Sequence, residues 1–400
     1  MNASSAPATP STPVHDKLWL YALLALVATA GFFYVNIMSA IVDGLVTGLG
    51  FSNPQAGMVG AANIYGASVG SLVAVFLVRR IRWRPALLGL LSLLLLLNLG
   101  STLIRTPEVF IAVRALHGFI GGLSVGISYS VMARMASPDR AFGMLLLVQF
   151  GLGGLGVMFL PGLVPEYGAR ILFLTLATLT TLALLAIQLI PDLAERGAGA
   201  TSTAPVRLST PARWLAALVL LAVFLFQGGN MGLAAFIIRL GEHHALGRDF
   251  IGQALGWATW VGMLGAVLVI VMGLRHGRVR PLLAAMLLTL VGMAGFYWSG
   301  NRAVFFSANV GTAITWSFVI PYLFGMLSRL DASGRLATLG GFVSKLGLAS
   351  GPMLAGWLLA NDDFSFLITV SILALALSGL VMLAAAQRVD RLPPEPGVSA

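Results

Sequence analysis

Runs of about 20 apolar residues, each closed by a short polar or Gly/Pro-containing break, recur twelve times along the chain. A helix of that length crosses the hydrocarbon core of a bilayer, so the pattern predicts an all-α membrane protein with twelve transmembrane helices. The runs cover residues 18–47, 56–78, 85–104, 109–132, 141–164 and 170–190, then 213–238, 252–274, 281–299, 302–327, 335–360 and 364–386. Most breaks are short, so successive helices are expected to run antiparallel. The longest break, residues 191–212, contains Ala-Glu-Arg-Gly-Ala-Gly-Ala-Thr-Ser-Thr-Ala-Pro, which is the composition of a flexible linker. It divides the chain into a six-helix unit over 18–190 and another over 213–386. The flanks, residues 1–17 and 387–400, are polar or proline-containing and read as tails without structure of their own. The first of them has no charged start followed by an apolar core and a cleavage site, so it is not read as a signal peptide.

The two units share a sequence mark. Val78-Arg-Arg-Ile-Arg-Trp-Arg-Pro85 is followed 196 residues later by Leu274-Arg-His-Gly-Arg-Val-Arg-Pro281, aligning Arg79 with Arg275, Arg82 with Arg278, Arg84 with Arg280 and Pro85 with Pro281. Gly156 and Gly351 repeat at an offset of 195. A charged turn that recurs at half-length predicts two copies of one unit, a parallel 6+6 repeat.

Composition agrees with the hydrophobic pattern. Charged residues are 10% of the chain and hydrophobic ones 58%, too few charges to cover a water-facing surface. The net charge of +10 lies in short loops between apolar runs, which argues against nucleic acid and for a membrane. With the N-terminus placed in the cytoplasm, 17 of the 24 Lys and Arg fall on that side, 5 on the other and 2 inside helices. That bias predicts both termini in the cytoplasm and a location in the inner (plasma) membrane. The chain has no cysteine, so thiolate metal sites are excluded. No phosphate-binding loop and no catalytic constellation occurs, so neither an enzyme, a cofactor nor a metal is expected.

Beyond these features, the chain resembles the major facilitator superfamily of secondary transporters over nearly its whole length. The basic turn after helix 2 is similar to that family's Gly-x-x-x-Asp-Arg-x-Gly-Arg-Arg motif, although no Asp precedes Arg79 and Ile81 stands where Gly is usual. Helix 4 carries Arg114, Gly118, Gly122 and Gly126 at four-residue intervals, resembling the family's Arg-Gly helix. Helix 11 carries Gly347-Leu-Ala-Ser-Gly351-Pro352, similar to the Gly-x-x-x-Gly-Pro motif of its antiporters. The resemblance implies alternating access of two bundles around a central substrate site, proton or other ion coupling, and no nucleic-acid partner. A monomer that moves a small molecule is expected, with export of an organic anion, metabolite or drug favoured. A non-transporting sensor or scaffold, or a lipid-handling protein of the same fold, is the alternative.

Ionisable side chains inside a membrane helix cost about 2.5–3.5 kcal/mol each on insertion scales, so each is a functional candidate. Lys345 is expected either to face the cavity and meet an anionic substrate or to pair structurally with a backbone carbonyl or Asp43. Arg114 is expected to line the cavity paired with Asp43, or to reach for the interface. Asp43 and His117 are the candidates for proton coupling, with an interfacial charge and a simply hydrogen-bonded histidine as the plainer readings. Asn36, Asn63, Tyr65, Gln149, Gln227, Asn230, Trp260, Asn309 and Trp316 complete the expected substrate-binding set. The resemblance implies that helices 1, 4, 7 and 10 line the pathway.

Overall fold

The computed structural model describes residues 18–78, 80–135, 137–191, 210–273, 275–331 and 335–392. The described chain is helical almost throughout. In order the helices are α1 (Leu18–Asn36), α2 (Met38–Leu49), α3 (Asn53–Leu77), α4 (Trp83–Ser101), α5 (Pro107–Met132), α6 (Pro138–Tyr167) and α7 (Arg170–Leu189). The second half holds α8 (Thr210–Ala235), α9 (Ile237–His243), α10 (Arg248–Met272), α11 (Val279–Gly295), α12 (Arg302–Leu330), α13 (Arg335–Leu358) and α14 (Phe364–Asp390). Twelve helices are long and apolar enough to cross a membrane. The two short ones, α2 and α9, continue α1 and α8. Both ends of the described chain therefore lie at one face, here the near face, and α2 and α9 lie at the opposite, far face.

Two predicted spans differ from the structure in the same way. The runs 18–47 and 213–238 each read as one helix, yet α1 breaks from α2 at Ile37 and α8 from α9 at Phe236, with φ/ψ of −111°/22° and −109°/12°. Neither break falls on Gly or Pro, so local sequence carried no signal for it. The tail predicted from residue 387 also differs: α14 runs on to Asp390, because that carboxylate accepts bonds from the Arg278 backbone N–H and Nη1, both at 2.9 Å. Residues 1–17, most of the 191–212 linker, Arg79 and the end of the C-terminal tail lie outside the described residues.

Helix ends follow local chemistry. Gly50 ends α2 in the left-handed region, at φ 72°. Ser52 and Gln55 then form a reciprocal capping box that starts α3. Arg84 turns back to the C-terminus of α7, its Nη2 donating to the Ile187 and Gln188 carbonyls at 3.3 and 3.1 Å. There the guanidinium meets the negative end of the helix dipole.

In lipid, apolar surface does not drive helices together, so close approach of small residues decides which faces meet. Large side chains such as Phe76, Leu96, Ile270 and Leu380 point outward. The seam between α3 and α5 is built on glycine: a methyl at Gly118 would land on the Asn63 carbonyl oxygen, and one at Gly122 on that of Ala67. Gly126 meets Ala74 of the same seam, while Gly347 and Gly351 of α13 press on α8. Within the first six spans α1 packs on α5, α6 and α7, α3 on α5, and α4 on α5 and α7. Within the last six, α8 packs on α12, α13 and α14, α10 on α12, and α11 on α12 and α14. Between the two sets the main contacts are α3 with α13 and α6 with α10. The α3–α13 seam includes Gly57 against the Pro352 carbonyl, and the far ends add Asn53, which donates to the Leu359 carbonyl at 3.0 Å and to Asp362 at 2.8 Å.

Gly118→Val is expected to prevent folding, because no shift of a flexible side chain relieves a clash with backbone oxygen. Gly89→Val, where an added Cβ meets nothing within 4 Å, is expected to leave a monodisperse protein. Fluorescence-detected size exclusion of the two variants separates these outcomes.

Candidate functional site

A cavity of about 490 Å³ lies between the first six and the last six spans, within the range of small-molecule sites. Its wall comes from α1, α2, α6, α8, α9, α10, α11, α12 and α13, with Phe296 just past α11, and none of its lining residues is Asp, Glu, Lys, Arg or His. The polar groups are mainly amides: Asn36, Gln149, Gln227, Asn230 and Asn309, with the Trp316 indole beside them. Their hydrogen bonds fix which end of each amide is the nitrogen, because only the nitrogen donates to a carbonyl. Asn36 Nδ2 donates to the Gln149 carbonyl at 3.1 Å, and Gln149 Nε2 returns a bond to Asn36 Oδ1 at 3.2 Å. Trp316 Nε1 donates to Gln227 Oε1 at 2.6 Å, and Gln227 Nε2 to Ser344 Oγ at 2.6 Å. Asn230 and Asn309 donate to the carbonyls four residues earlier, Phe226 and Phe305, at 2.9 and 2.8 Å. Gln149 Oε1, Asn230 Oδ1 and Asn309 Oδ1 are left as acceptors, and each of these amide nitrogens keeps a second N–H, amid apolar and aromatic walls that include Phe32, Phe150 and Phe296.

Six of the predicted substrate-binding residues thus meet at the cavity: Asn36, Gln149, Gln227, Asn230, Asn309 and Trp316. The other five sit elsewhere. Asn63 is inside the first six spans, donating to the Arg114 carbonyl at 3.3 Å and bonded to His117 Nδ1 at 2.9 Å. Tyr65 crosses to α13, its hydroxyl 2.8 Å from Ser350 Oγ. Trp260 fills the α6–α10 seam, where Nε1 donates to the Gly151 carbonyl at 3.3 Å. Lys345 lies in the α3–α13 seam: its Nζ bonds Ser71 Oγ and stands 6.0 Å from the Phe32 ring centre. Its neighbours Phe32 and Leu348 line the cavity, but Lys345 itself is drawn to the hydroxyl across the seam.

Arg114 departs furthest from expectation. It neither lines the cavity nor pairs with Asp43. Fully buried in the first six spans, it donates to Asn98 Oδ1 at 3.4 Å, to the Leu97 carbonyl at 3.3 Å and to Ser101 Oγ. The rings of Phe173, Tyr34 and Phe110 surround its guanidinium at 5.0, 5.7 and 5.8 Å. Aromatic faces and neutral acceptors here replace a carboxylate. His117, one turn away, stacks near Tyr34 and is equally buried.

Asp43 is fully buried in the middle of α2, and its partner comes from the other half of the chain. Arg248, the first residue of α10, grips it with two bonds, Nη1 to Oδ2 at 2.7 Å and Nη2 to Oδ1 at 3.4 Å. The same Nη1 donates to the Pro161 carbonyl of α6 at 3.0 Å, and Nη2 forms an ion pair with Glu242 of α9. Arg239 stands 3.7 Å from Glu242 on the same short helix. Burial first, and the Asp43 charge second, push the Glu242 carboxyl above its usual range, against the pull of Arg248 and Arg239. Sequence reading missed Arg248 and Glu242, which counted only as loop charges. The available signal was that a carboxylate buried in α2 demands a cation at equal depth, and Arg248 opens a helix there. Of the basic turns, Arg82 caps the start of α4 and Arg275 lies in the turn before α11. Arg278 caps α11, with Arg280 in its first turn, and holds Asp390 of α14. Among the described residues, no group of three or more His, Cys, Asp or Glu is gathered as metal ligands.

The family model described as Major Facilitator Superfamily matches residues 22–236. The chain belongs to the major facilitator superfamily. Over 217 residues it is 28% identical to the cyanate transport protein CynX of Escherichia coli (strain K12), a match covering 51% of this chain and 54% of that protein. The chain thus spans about half the length of that curated relative. Among solved structures, the nucleoside transporter NupG has a TM-score of 0.71 at 12% identity, covering 94% of this chain and 98% of that one. A D-xylose–proton symporter has 0.67 at 16%, covering 94% and 98%. A bacterial homolog to the human lysosomal transporter Spinster, inward-facing and unoccupied, has 0.71 at 13%, covering 95% and 100%. At these identities the likeness is one of superfamily fold.

Removing Arg248 strands a buried carboxylate, which costs about 3–5 kcal/mol. Arg248→Ala is therefore expected to lower the melting temperature of the purified protein clearly, and adding Asp43→Asn to recover most of the loss. Equal melting of the single and double variants removes the ion pair from the stability of this state.

Proposed function

We propose that this chain is a secondary active transporter that moves a small solute across the membrane by alternating access. The observation that carries the reading is the amide-lined cavity between two sets of six spans that are fastened together at the far face. In this reading 18–190 and 213–386 are the two units of a parallel repeat, joined by the 191–212 linker, and they rock about the cavity. The matched pattern of helix contacts within each set supports it. Both termini lie in the cytoplasm, as the basic residues favour, and the far face is then the outer one. Coupling to protons uses the far-face carboxylates, with Asp43 as the carrier and His117 as the inner candidate.

The cavity wall bears on the substrate. The expectation of an anionic substrate rested on Arg114 and Lys345, and neither stands in the wall. A wall with no cation, lined by amides that keep both carbonyl oxygens and N–H groups to spare, favours an uncharged solute and disfavours a carboxylate. Cyanate, named for the relative that matches over half its length, is a small anion and is the sharpest contrary case.

Purified protein in proteoliposomes tests both layers. Matched pairs such as nicotinamide with nicotinate, and cyanate beside them, are screened first for thermal stabilisation and then for uptake driven by a pH gradient and for counterflow exchange. Neutral members are expected to bind and move, and Asn309→Leu to reduce their transport about tenfold by removing one buried hydrogen bond. Asp43→Asn is expected to keep exchange but lose the dependence on the gradient. Preference for the acids reverses the substrate class and leaves the transporter. Gradient dependence unchanged in Asp43→Asn takes Asp43 out of coupling.

A further inference from the structure

At the far-face fastening two acids meet one guanidinium, and the second of them, Glu242, also has Arg239 3.7 Å away. Arg248 carries a single charge, and two carboxylates share it: Asp43 from α2 and Glu242 from α9. The two acids come from opposite halves of the chain. Asp43 is fully buried, whereas the Glu242 side chain keeps 24% exposure and so meets water at the far face.

We propose that Glu242 reads proton concentration at the far face and that its protonation tightens the Asp43–Arg248 latch. The proposal rests on the alternating-access reading, since a latch has meaning only if the face it closes also opens. With Glu242 ionised, Arg248 is divided between two acids, and like charges face each other across the boundary between the halves. A proton on Glu242 removes that repulsion and leaves Arg248 to Asp43. The protonated carboxyl also becomes a donor, and Asp43 is the acceptor beside it.

The surroundings are consistent with this assignment. Helix α9 packs against α2, α8 and α10. From α2 comes Asp43 and from α10 Arg248, while α8 has no charged residue at this end. Arg239 faces Glu242 from its own helix. Asp249, next to Arg248, points instead toward Gly162 of α6. His243 and His244 close α9 but stack on each other, and His243 on Phe364. Burial, and then the neighbouring His243 charge, lower the His244 pKa.

The direction follows from linkage. Closure buries Glu242 beside Asp43 and raises its pKa, while opening hydrates it and lets the value fall back. The closed state therefore binds the proton more tightly, and proton binding favours closure to the same extent. Each unit of pKa difference between the two states is worth a tenfold change in the closed-to-open ratio. Acid at the far face drives the latch shut, and alkali loosens it.

A chain without cysteine suits the measurement. Spin labels at Leu103→Cys, in the far loop after α4, and Asn361→Cys, in the far turn between α13 and α14, report the separation of the halves at that face. Both positions are exposed. In lipid nanodiscs, lowering the pH from about 8 to about 4.5 is expected to shift the distance distribution toward its short component by tenfold or more. Glu242→Gln, which mimics the protonated acid, is expected to hold the short component at every pH. Glu242→Asp keeps a titrating group on a shorter arm and is expected to keep a response with a displaced midpoint. A pH response in Glu242→Gln equal to that of the parent protein overturns the assignment and leaves alternating access standing. A parent protein with no pH response also overturns it. Asp43→Asn then decides the underlying reading: lengthening at the far face retains the moving gate, and an unchanged distance removes it.

Discussion

A polar group inside a bilayer has no water to turn to, and this structure is arranged around that constraint. The backbone meets it by being helical almost throughout. Side chains meet it in two ways. Hydroxyls and amides such as Thr180, Thr289, Asn230 and Asn309 bond the carbonyl four residues back on their own helix. Others reach a neighbouring helix, as Asn63 does toward His117 and Ser378 toward the Ala222 carbonyl. The first device leaves a helix free to move as a unit. The second ties two helices together. Where each is used therefore bears on which parts travel together.

Ties within each half are numerous and mostly neutral. Charged ties such as Arg84 to the end of α7 and Arg278 to Asp390 lie at the near face, whereas Arg114 is buried, held by Asn98, Ser101 and three rings, so its charge stays inside the first six spans. Ties between the halves are fewer and stronger in kind. Asp43 with Arg248 is a buried, two-pronged ion pair, and Lys345 with Ser71 is a charge-assisted bond. Asn53 adds bonds to the end of α13 and to the turn that follows it. A bond across the boundary can be exchanged for water when that face opens, whereas one inside a half would have to be broken in lipid. Charge placed at the boundary is thus compatible with motion in a way that charge placed within a half is not.

Length and hydropathy made the twelve spans legible, because about 20 apolar residues have few other uses. The glycine stripe at 118, 122 and 126 was legible too, since small residues at helical spacing mark a close seam. The breaks at Ile37 and Phe236 were not, because neither residue type disfavours a helix. Side-chain destinations were read least well. Depth along a helix can be counted, and the resemblance, which assigns helices 1, 7 and 10 to the pathway, placed Asn36, Gln227 and Asn309 where the cavity is. Rotation about the helix axis cannot be counted when a helix is apolar on every side. For that reason Arg114 and Lys345, each at a plausible depth, turned to a caged interior and to a seam. Arg248 escaped notice because its partner lies 205 residues away, and no local pattern records such a distance.

The separation of charge from cavity has a mechanistic consequence within the proposed cycle. If a substrate's charge were answered in the cavity, its arrival would compete directly with the bonds that hold the halves together, and binding would itself loosen the gate. Here the wall offers amides, indole and apolar surface, while the ionised groups stand at the far face, inside a half or, for Lys345, in the α3–α13 seam behind the wall. A neutral solute then leaves the latch electrostatics unchanged and acts by filling space between the halves. The free energy that orders closing and opening is accordingly divided: solute contacts act at mid-depth, and protons act at the far rim through two carboxylates and the guanidiniums of Arg248 and Arg239. Two separate sites that bias the same rigid-body motion are coupled through that motion alone, without any contact between them.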